Sequence, residues 1–331
     1  MTKAKVVFIA HVDTEFKDAF VEHCPPNMEV VRAFSNPKAT QEEVGEVFAS
    51  EELRGADFLV LFCRWRIPEE AIRGAKRLKF IQTLGQGTEH IPVRAASELG
   101  IPVSNSGGGN AISVAEHTVL LMLATLKNLL RGVEAIRQGK FTKDMDRRSF
   151  HHLYEKTVGI IGLGTIGRLV GKLVNGFGAN VIFFDPADIP PSVVADCHAR
   201  RVSLEDLLAT SDVVTLHVPL LKTTKGMLRW EQLSMMKHSA IFINTSRGDL
   251  VDELALIRAL REKVIAGAGL DVFDQEPPSR DNPLLNMENV VPTPHIAGMS
   301  SENWVFRVKN CWENLQRVWN GEKPVSLVTH W

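Results

Sequence analysis

A chain of 331 residues is too long for one ordinary hydrophobic core and long enough for two, so two domains are expected. Hydrophobic content of 44% and charged content of 23% are those of a globular protein, and a formal net charge of -1 gives no bulk attraction for nucleic acid or an anionic membrane as a partner. Four cysteines, Cys24, Cys63, Cys197 and Cys311, fall without CxxC spacing, so neither a metal site nor a disulfide framework is indicated and a reducing cytoplasm is the expected home.

The N-terminus is basic and then apolar, but the run Val6–Ala10 is soon broken by His11, Asp13 and Glu15, so it reads as a first β-strand and not as a signal peptide. Strand-like segments recur at Met28–Ala33, Phe58–Phe62, Phe80–Thr83 and Ile101–Val103, with amphipathic helical patterns at Thr14–His23, Gln41–Leu53 and Pro68–Ala75 between them. This is an α/β series in its own right. Small and polar residues at 104–110 then interrupt regular structure, marking a hinge or binding loop, and a long helix is expected over about Ser113–Gln138, with Ser113 and Glu116 forming a capping box. Its apolar stretch around Val119–Ala124 stops at Lys127 and cannot span a bilayer.

A second α/β series begins at Thr157–Ile161. Later strands are expected at Val181–Phe184, Val213–His217, Ala240–Asn244 and Ile265–Leu270, with helices at Ile166–Asn175, Leu204–Ala209, Trp230–Met235 and Glu253–Glu262. Such alternation argues for a parallel, doubly wound sheet. The last segment, Ser301–Asn320, is helical in pattern and carries Trp304, Val308, Trp312, Leu315 and Trp319 roughly on one stripe, which is expected to pack back on the first domain as core.

Gly162-Leu163-Gly164-Thr165-Ile166-Gly167 directly follows a predicted strand and opens a helix. In that context the first glycine allows a tight turn, the second lets backbone approach a pyrophosphate, and the third lets helix and strand pack closely. The phosphates would sit on the helix N-terminus. Asp185 ends the next strand, about twenty residues on, where a carboxylate can accept hydrogen bonds from ribose hydroxyls. It would repel a 2'-phosphate, and no Arg or Lys follows in 186–190, so NAD (NADH) is expected in preference to NADP.

Downstream of this fingerprint lie Arg247 in Asn244-Thr245-Ser246-Arg247-Gly248, then Glu276, then His295 in Thr293-Pro294-His295-Ile296-Ala297-Gly298. A cation for an anionic substrate, a carboxylate and an imidazole are what a nicotinamide enzyme needs to move a hydride and a proton beside a carboxylate. Each has a plainer reading, as a surface ion-pair residue, a loop terminator and a satisfied histidine. His117, His151 and His152 read as structural or peripheral, with Glu116 and His117 on a helix expected to face its neighbour or a partner subunit.

These motifs, with Gly269-Leu270-Asp271-Val272-Phe273 and Ser113-Val114-Ala115-Glu116-His117, resemble those of the NAD-dependent D-isomer-specific 2-hydroxyacid dehydrogenases over nearly the whole chain. The resemblance implies two doubly wound parallel-sheet α/β domains, a Rossmann nucleotide domain (residues 104–297) inserted into a flavodoxin-like substrate domain (1–103 and 298–331), with the active site in the cleft. It implies that Arg247 binds the substrate carboxylate and carbonyl oxygen, that His295 is the general acid/base, and that Glu276 bonds the other ring nitrogen and fixes its orientation. Cofactor contacts are implied for Gly162, Gly164, Thr165, Ile166, Gly167, Asp185, His217, Val218, Pro219, Thr245, Ser246, Arg247, Asp271, His295 and Gly298, Asp271 receiving the nicotinamide carboxamide. Substrate contacts are implied for Arg64, for the amides of Leu84, Gly85, Gln86 and Gly87, and for Arg247 and His295, with Trp65 and Arg66 as further candidates for shaping the pocket. No metal is implied. The long helix packs across a two-fold in the family, so a homodimer is expected.

The leading expectation is therefore reduction of a small 2-oxo acid, such as glyoxylate or hydroxypyruvate, to its D-2-hydroxy acid. A phosphorylated substrate such as 3-phosphoglycerate is the runner-up, disfavoured because Phe62 and Thr83 stand where the enzymes for it tend to carry arginines. A corepressor-like module that senses dinucleotide is the alternative from another class, with no long disordered tail or added regulatory domain in the sequence to favour it. A formate-dehydrogenase-like reaction would not need the Glu276 and His295 pair.

Overall fold

The computed structural model describes residues 3–11, 14–63, 65–141 and 146–328. The chain divides into two compact units, Met1–Asn110 with Ser300–Trp331, and Ala111–Met299. The first contains β1 (Ala4–Ala10), α1 (Thr14–Glu22), β2 (Met28–Ser35), α2 (Gln41–Phe48), α3 (Glu51–Arg54), β3 (Phe58–Phe62), α4 (Glu69–Gly74), β4 (Phe80–Thr83), α5 (Val93–Glu98) and β5 (Val103–Ser104). The five strands form one parallel sheet in the order β2-β1-β3-β4-β5, the flavodoxin-like arrangement.

Because crossover helices cover both faces of a parallel sheet, its strands are apolar almost throughout and their alternate residues feed two cores. Val7, Ile9, Leu59, Leu61 and Ile81 pack on one side with Val44, Phe48 and Ile72. Val6, Phe8, Phe58, Val60 and Phe80 face the other, where the final helix of the chain supplies Trp304, Val308, Cys311, Trp312 and Leu315. That stripe packs as the sequence suggested: the Trp312 ring stacks on Phe20 at 4.5 Å and its Nε1–H donates to Phe20 O at 3.2 Å, while Trp319 is only partly buried. The polar segment 104–110 belongs to this unit. Asn105 N–H donates to Ser326 O and Ser106 N–H to Gly85 O.

The predicted helix Gln41–Leu53 is two helices. Thr40 and Glu43 cap α2 reciprocally at 2.7 and 3.2 Å, and Ser50 caps α3 by accepting from Leu53 N–H, so the chain restarts in between.

The second unit opens with α6 (Ala111–Leu126) and α7 (Leu129–Arg137), followed by β6 (Thr157–Ile161), α8 (Thr165–Gly176), β7 (Asn180–Phe184), α9 (Pro191–Asp196), β8 (Ala199–Arg201), α10 (Leu204–Thr210) and β9 (Val213–Leu216). It continues through α11 (Trp230–Ser234), β10 (Ile241–Asn244), α12 (Glu253–Arg261), β11 (Gly267–Leu270) and β12 (Val290–Pro292), and α13 (Ser301–Trp319) is the final helix already described. Its seven strands are all parallel, in the order β12-β11-β10-β9-β6-β7-β8. The winding reverses between β6 and β9, and in open α/β sheets ligands bind beyond the strand ends at that point.

Two sequence expectations about the long helix are corrected. It starts at Ala111, so Ser113 lies inside it and not at its cap. It also breaks at Asn128, which takes a left-handed φ of 49° and donates from Nδ2 to Ser149 O at 2.5 Å, a conformation that a short polar side chain tolerates. Among the described residues no helix is long and apolar enough to cross a membrane.

Candidate functional site

The glycine loop sits at the switch point of the second sheet. Gly162 has φ +94°, and a Cβ there would meet the carbonyl oxygen of His217 at 2.6 Å, so only glycine lets the loop after β6 pass the end of β9. A Cβ on Gly167 would collide with the Gly162 carbonyl, whereas one on Gly164 would meet nothing within 4 Å. The N-terminus of α8 thus faces open space, and Gly164 at its cap offers no side chain to its first-turn N–H groups.

Asp185 follows β7 beside this loop. Its Oδ2 accepts from Leu163 N–H and its Oδ1 from Ala187 N–H, both at 2.8 Å, leaving each oxygen a further lone pair. Arg201, at the end of β8, donates to the carbonyl of Ala187 and covers the Phe183 ring at 5.5 Å. The local sequence 186–190 lacks a cation, but the fold brings one there from the neighbouring strand. His217 Nδ1 is buried with no hydrogen-bond partner, its Nε2 lies 3.0 Å from Thr215 Oγ1, and burial pushes its pKa down to about 3. An uncapped helix end, a paired but unsaturated carboxylate and an orphaned ring nitrogen around one switch point fit a dinucleotide. Val218, whose side chain a Gly162 Cβ would also touch, Pro219, Thr165 and Ile166 flank the same point in the chain.

The loop after β10 carries Thr245, Ser246 and Arg247. Asn244 shapes it, accepting Ser246 N–H on Oδ1 at 3.0 Å and donating from Nδ2 to Arg247 O at 2.9 Å, while Ser246 Oγ donates to Leu216 O at 2.7 Å. Arg247 Nη1 donates to Ser246 O at 2.7 Å. A Cβ on Gly248 would run into Phe273 and Asp274, so this loop lies against the one that leads to Glu276.

Glu276 Oε1 accepts from Phe273 N–H at 3.3 Å and its Oε2 lies 2.6 Å from His295 Nδ1. An ionised carboxylate only accepts, so Nδ1 carries the proton toward it and Nε2 is the ring's other face. His295 has φ +56°, the left-handed region, which strains a side-chain-bearing residue and persists only where the surroundings hold it.

What holds it is Asp271. This carboxylate is fully buried and accepts from Thr293 Oγ1 at 2.6 Å, Ile296 N–H at 2.9 Å and Ala297 N–H at 2.8 Å. His117 Nε2 lies 3.0 Å from Thr293 Oγ1 and 3.6 Å from Asp271 Oδ1. The sequence reading takes His117 as structural or peripheral, and its structural contact is this one: Glu116 is exposed, while the step of roughly 100° between successive helix residues turns His117 inward to the 293–297 loop.

In the first unit, Leu84 N–H donates to Leu61 O at 2.8 Å and Gly85 N–H to Thr83 Oγ1 at 3.2 Å. Two of the four amides expected to meet a carboxylate are therefore engaged, leaving those of Gln86 and Gly87. The Gln86 side chain accepts from Gly108 N–H at 3.0 Å and Ser106 Oγ at 3.3 Å. Arg64 lies outside the described residues. Thr83 is buried and Phe62 is flanked by His11 and Trp304 at 5.3 and 5.7 Å. Arg307, which the sequence reading passed over, is buried above Phe62 at 5.1 Å, and burial lowers its pKa to about 10. Among the described residues no cluster could hold a metal ion.

Residues 119–297 match the family model described as D-isomer specific 2-hydroxyacid dehydrogenase, NAD binding domain. The chain is 39% identical over 299 residues to a D-3-phosphoglycerate dehydrogenase of Methanocaldococcus jannaschii, covering 87% of this chain and 56% of that one. It is 37% identical over 280 residues to a glyoxylate reductase of Korarchaeum cryptofilum, covering 84% of each. The chain spans about half the length of the phosphoglycerate dehydrogenases it matches. Its fold is similar to the crystal structure of a glyoxylate reductase from Paecilomyes thermophila, with a TM-score of 0.85, 28% identity and 99% of each chain covered.

Proposed function

Because the chain belongs to the D-isomer-specific 2-hydroxyacid dehydrogenase family, we propose that it interconverts a small 2-oxo acid and its D-2-hydroxy acid with NAD as the hydride carrier. The observation that carries this reading is the 2.6 Å contact of His295 Nδ1 with Glu276, which leaves Nε2 to exchange a proton with substrate. When bound, the reduced nicotinamide supplies the hydride. Arg247 binds the carboxylate and carbonyl oxygen of the oxo acid through its planar fork, drawing charge from the carbon that is attacked. His295 gives its Nε2 proton to the oxygen as the carbonyl becomes an alkoxide, and Glu276 stabilises the imidazolium and keeps the ring oriented. Solvent restores the proton. In the first unit, the amides of Gln86 and Gly87 are the carboxylate contacts we favour.

The pyrophosphate is assigned to the N-terminus of α8, the adenosine ribose to Asp185, and further contacts to Thr165, Ile166, His217, Val218, Pro219, Thr245, Ser246 and Gly298. Asp271 keeps one of its roughly four acceptor positions for the carboxamide once the three donors of the 293–297 loop are counted. NADH is preferred over NADPH because the Asp185 carboxylate beside the glycine loop would accept from ribose hydroxyls and repel a 2'-phosphate.

The similarity to phosphoglycerate dehydrogenases makes a phosphorylated hydroxyacid the second reading. Buried Thr83 and the ring-flanked Phe62 speak for the smaller acid. Purified protein with NADH or NADPH and a panel of 2-oxo acids, and with NAD and 3-phosphoglycerate, followed at the nicotinamide absorbance, decides between them. His295→Ala is expected to cut kcat roughly 100-fold or more while NADH affinity stays within about threefold. Tight NADH binding without turnover of any acid would favour the dinucleotide-sensing module. We further propose a homodimer through α6 and α7, whose Ile112, Leu120, Leu129, Leu130 and Ile136 are exposed in the single chain.

A further inference from the structure

We propose that His117 is a positioning residue for the reaction: by donating to Thr293 it completes a clamp on the Asp271 carboxylate that fixes the backbone on both sides of His295. This rests on the reading of His295 as the proton donor. The Thr293 hydroxyl has one proton and gives it to Asp271 Oδ1 at 2.6 Å, so toward His117 it can only accept. His117 is thereby held as the Nε2–H tautomer, and burial lowers its pKa, which keeps the ring neutral. Asp271 then has Thr293 before the catalytic residue and the amides of Ile296 and Ala297 after it, while His295 N–H donates to Thr293 O at 3.0 Å. Four bonds brace the three-residue path through the left-handed His295.

The anchor is rigid because its helix is. Next to His117, Thr118 Oγ1 lies 2.9 Å from Thr245 Oγ1, and a Cβ on Gly269 would meet the Leu121 Cβ at 2.9 Å, so α6 lies directly on β10 and on β11, the strand that leads into Asp271. A side chain on such a helix has little freedom to follow a loop that drifts, and the loop is instead held to the helix. Without the His117 donor, the part-buried Thr293 hydroxyl loses a partner and is free to turn away from Asp271.

The test compares His117→Phe, which keeps ring volume and loses the donor, with His117→Gln, whose amide N–H reaches about as far as Nε2. His117→Phe is expected to lower kcat roughly 10- to 100-fold with the KM for oxo acid and the NADH dissociation constant within about threefold, and His117→Gln to recover most of the loss. Amide hydrogen exchange in a peptide covering residues 290–299 is expected to quicken about tenfold or more in His117→Phe, with the strands of the unit unchanged. If His117→Phe does not fold, Thr293→Val carries the same expectations, with Thr293→Ser as its rescue. Parental kcat and exchange in the Phe or Val variant, or losses that the Gln and Ser variants do not repair, would overturn the clamp. Should the parent protein turn over no oxo acid, the assigned reaction falls, and exchange alone then decides whether His117 holds the loop.

Discussion

At the scale of single residues the most demanding positions are those where backbone, not side chain, makes the site. Gly162 combines φ +94° with a closest approach to His217 O that excludes a methyl group. Gly162→Ala is therefore expected to destabilise the protein by about 1–3 kcal/mol and to weaken NADH tenfold or more, read by urea unfolding and by fluorescence titration. His217 is the corresponding test of buried polarity. Its folded pKa of about 3 lies below the ordinary histidine value. Between those two values the unfolded chain binds a proton that the folded chain does not, so stability is full above the ordinary value and is lost as pH falls toward 3. In His217→Phe this loss disappears: without cofactor, the variant's stability relative to the parent should improve by about 1–2 kcal/mol between pH 7 and pH 5. Glu276 and His295 were legible in the sequence because each sits in a short motif with its own chemistry. His117 was not, since its partner Thr293 is 176 positions away and nothing in a helix says which neighbour a histidine will face.

At the scale of elements, what could be read was whatever repeats often enough to show a period. The stripe on α13 repeats over nineteen residues and is seen in the structure as Trp304, Val308, Trp312 and Leu315 packed on the first sheet. Trp312→Ala removes a ring stacked on Phe20 and a hydrogen bond, and is expected to cost about 3–5 kcal/mol of unfolding free energy, measured by chemical denaturation. Strands β8 and β12, at three residues each, are too short for any alternation to emerge. The break between α6 and α7 was hidden for another reason. Asn128 is a weak helix former, but one such residue does not end an apolar pattern on its own, and it is the left-handed φ and the bond to Ser149, 21 positions on, that show the chain turning there.

At the scale of the molecule, α7 is the element that a single chain leaves unexplained. It is amphipathic, yet none of its residues is buried, and Leu129, Leu130 and Ile136 are about half exposed. A second copy covering this face is the proposed reason. Sedimentation should find a dimer, and Leu130→Glu with Ile136→Glu should give a monomer, because two charges desolvated per subunit would cost more than the face gains. A monomeric parent would remove the proposal. The two α/β series and the switch-point fingerprint were legible because glycine spacing and strand recurrence are local. The order of strands within each sheet was beyond local reading, since it is set by which buried faces finally meet.

Unit one is made from both ends of the chain. During synthesis, Ala111–Met299 is complete and contiguous while the first sheet still waits for α13, and until that helix emerges the face of Phe8, Phe58 and Phe80 has Phe20 of α1 against it but not Trp304, Val308, Trp312 and Leu315. The order in which the units can be completed thus runs against their order in the sequence: residues 111–299 are all present before the unit that residues 1–110 begin has its last helix. A chain cut after Met299 would release a folded inner unit joined to a sticky, half-built sheet, which gives a nascent-chain holdase a defined stretch, residues 1–110, to guard.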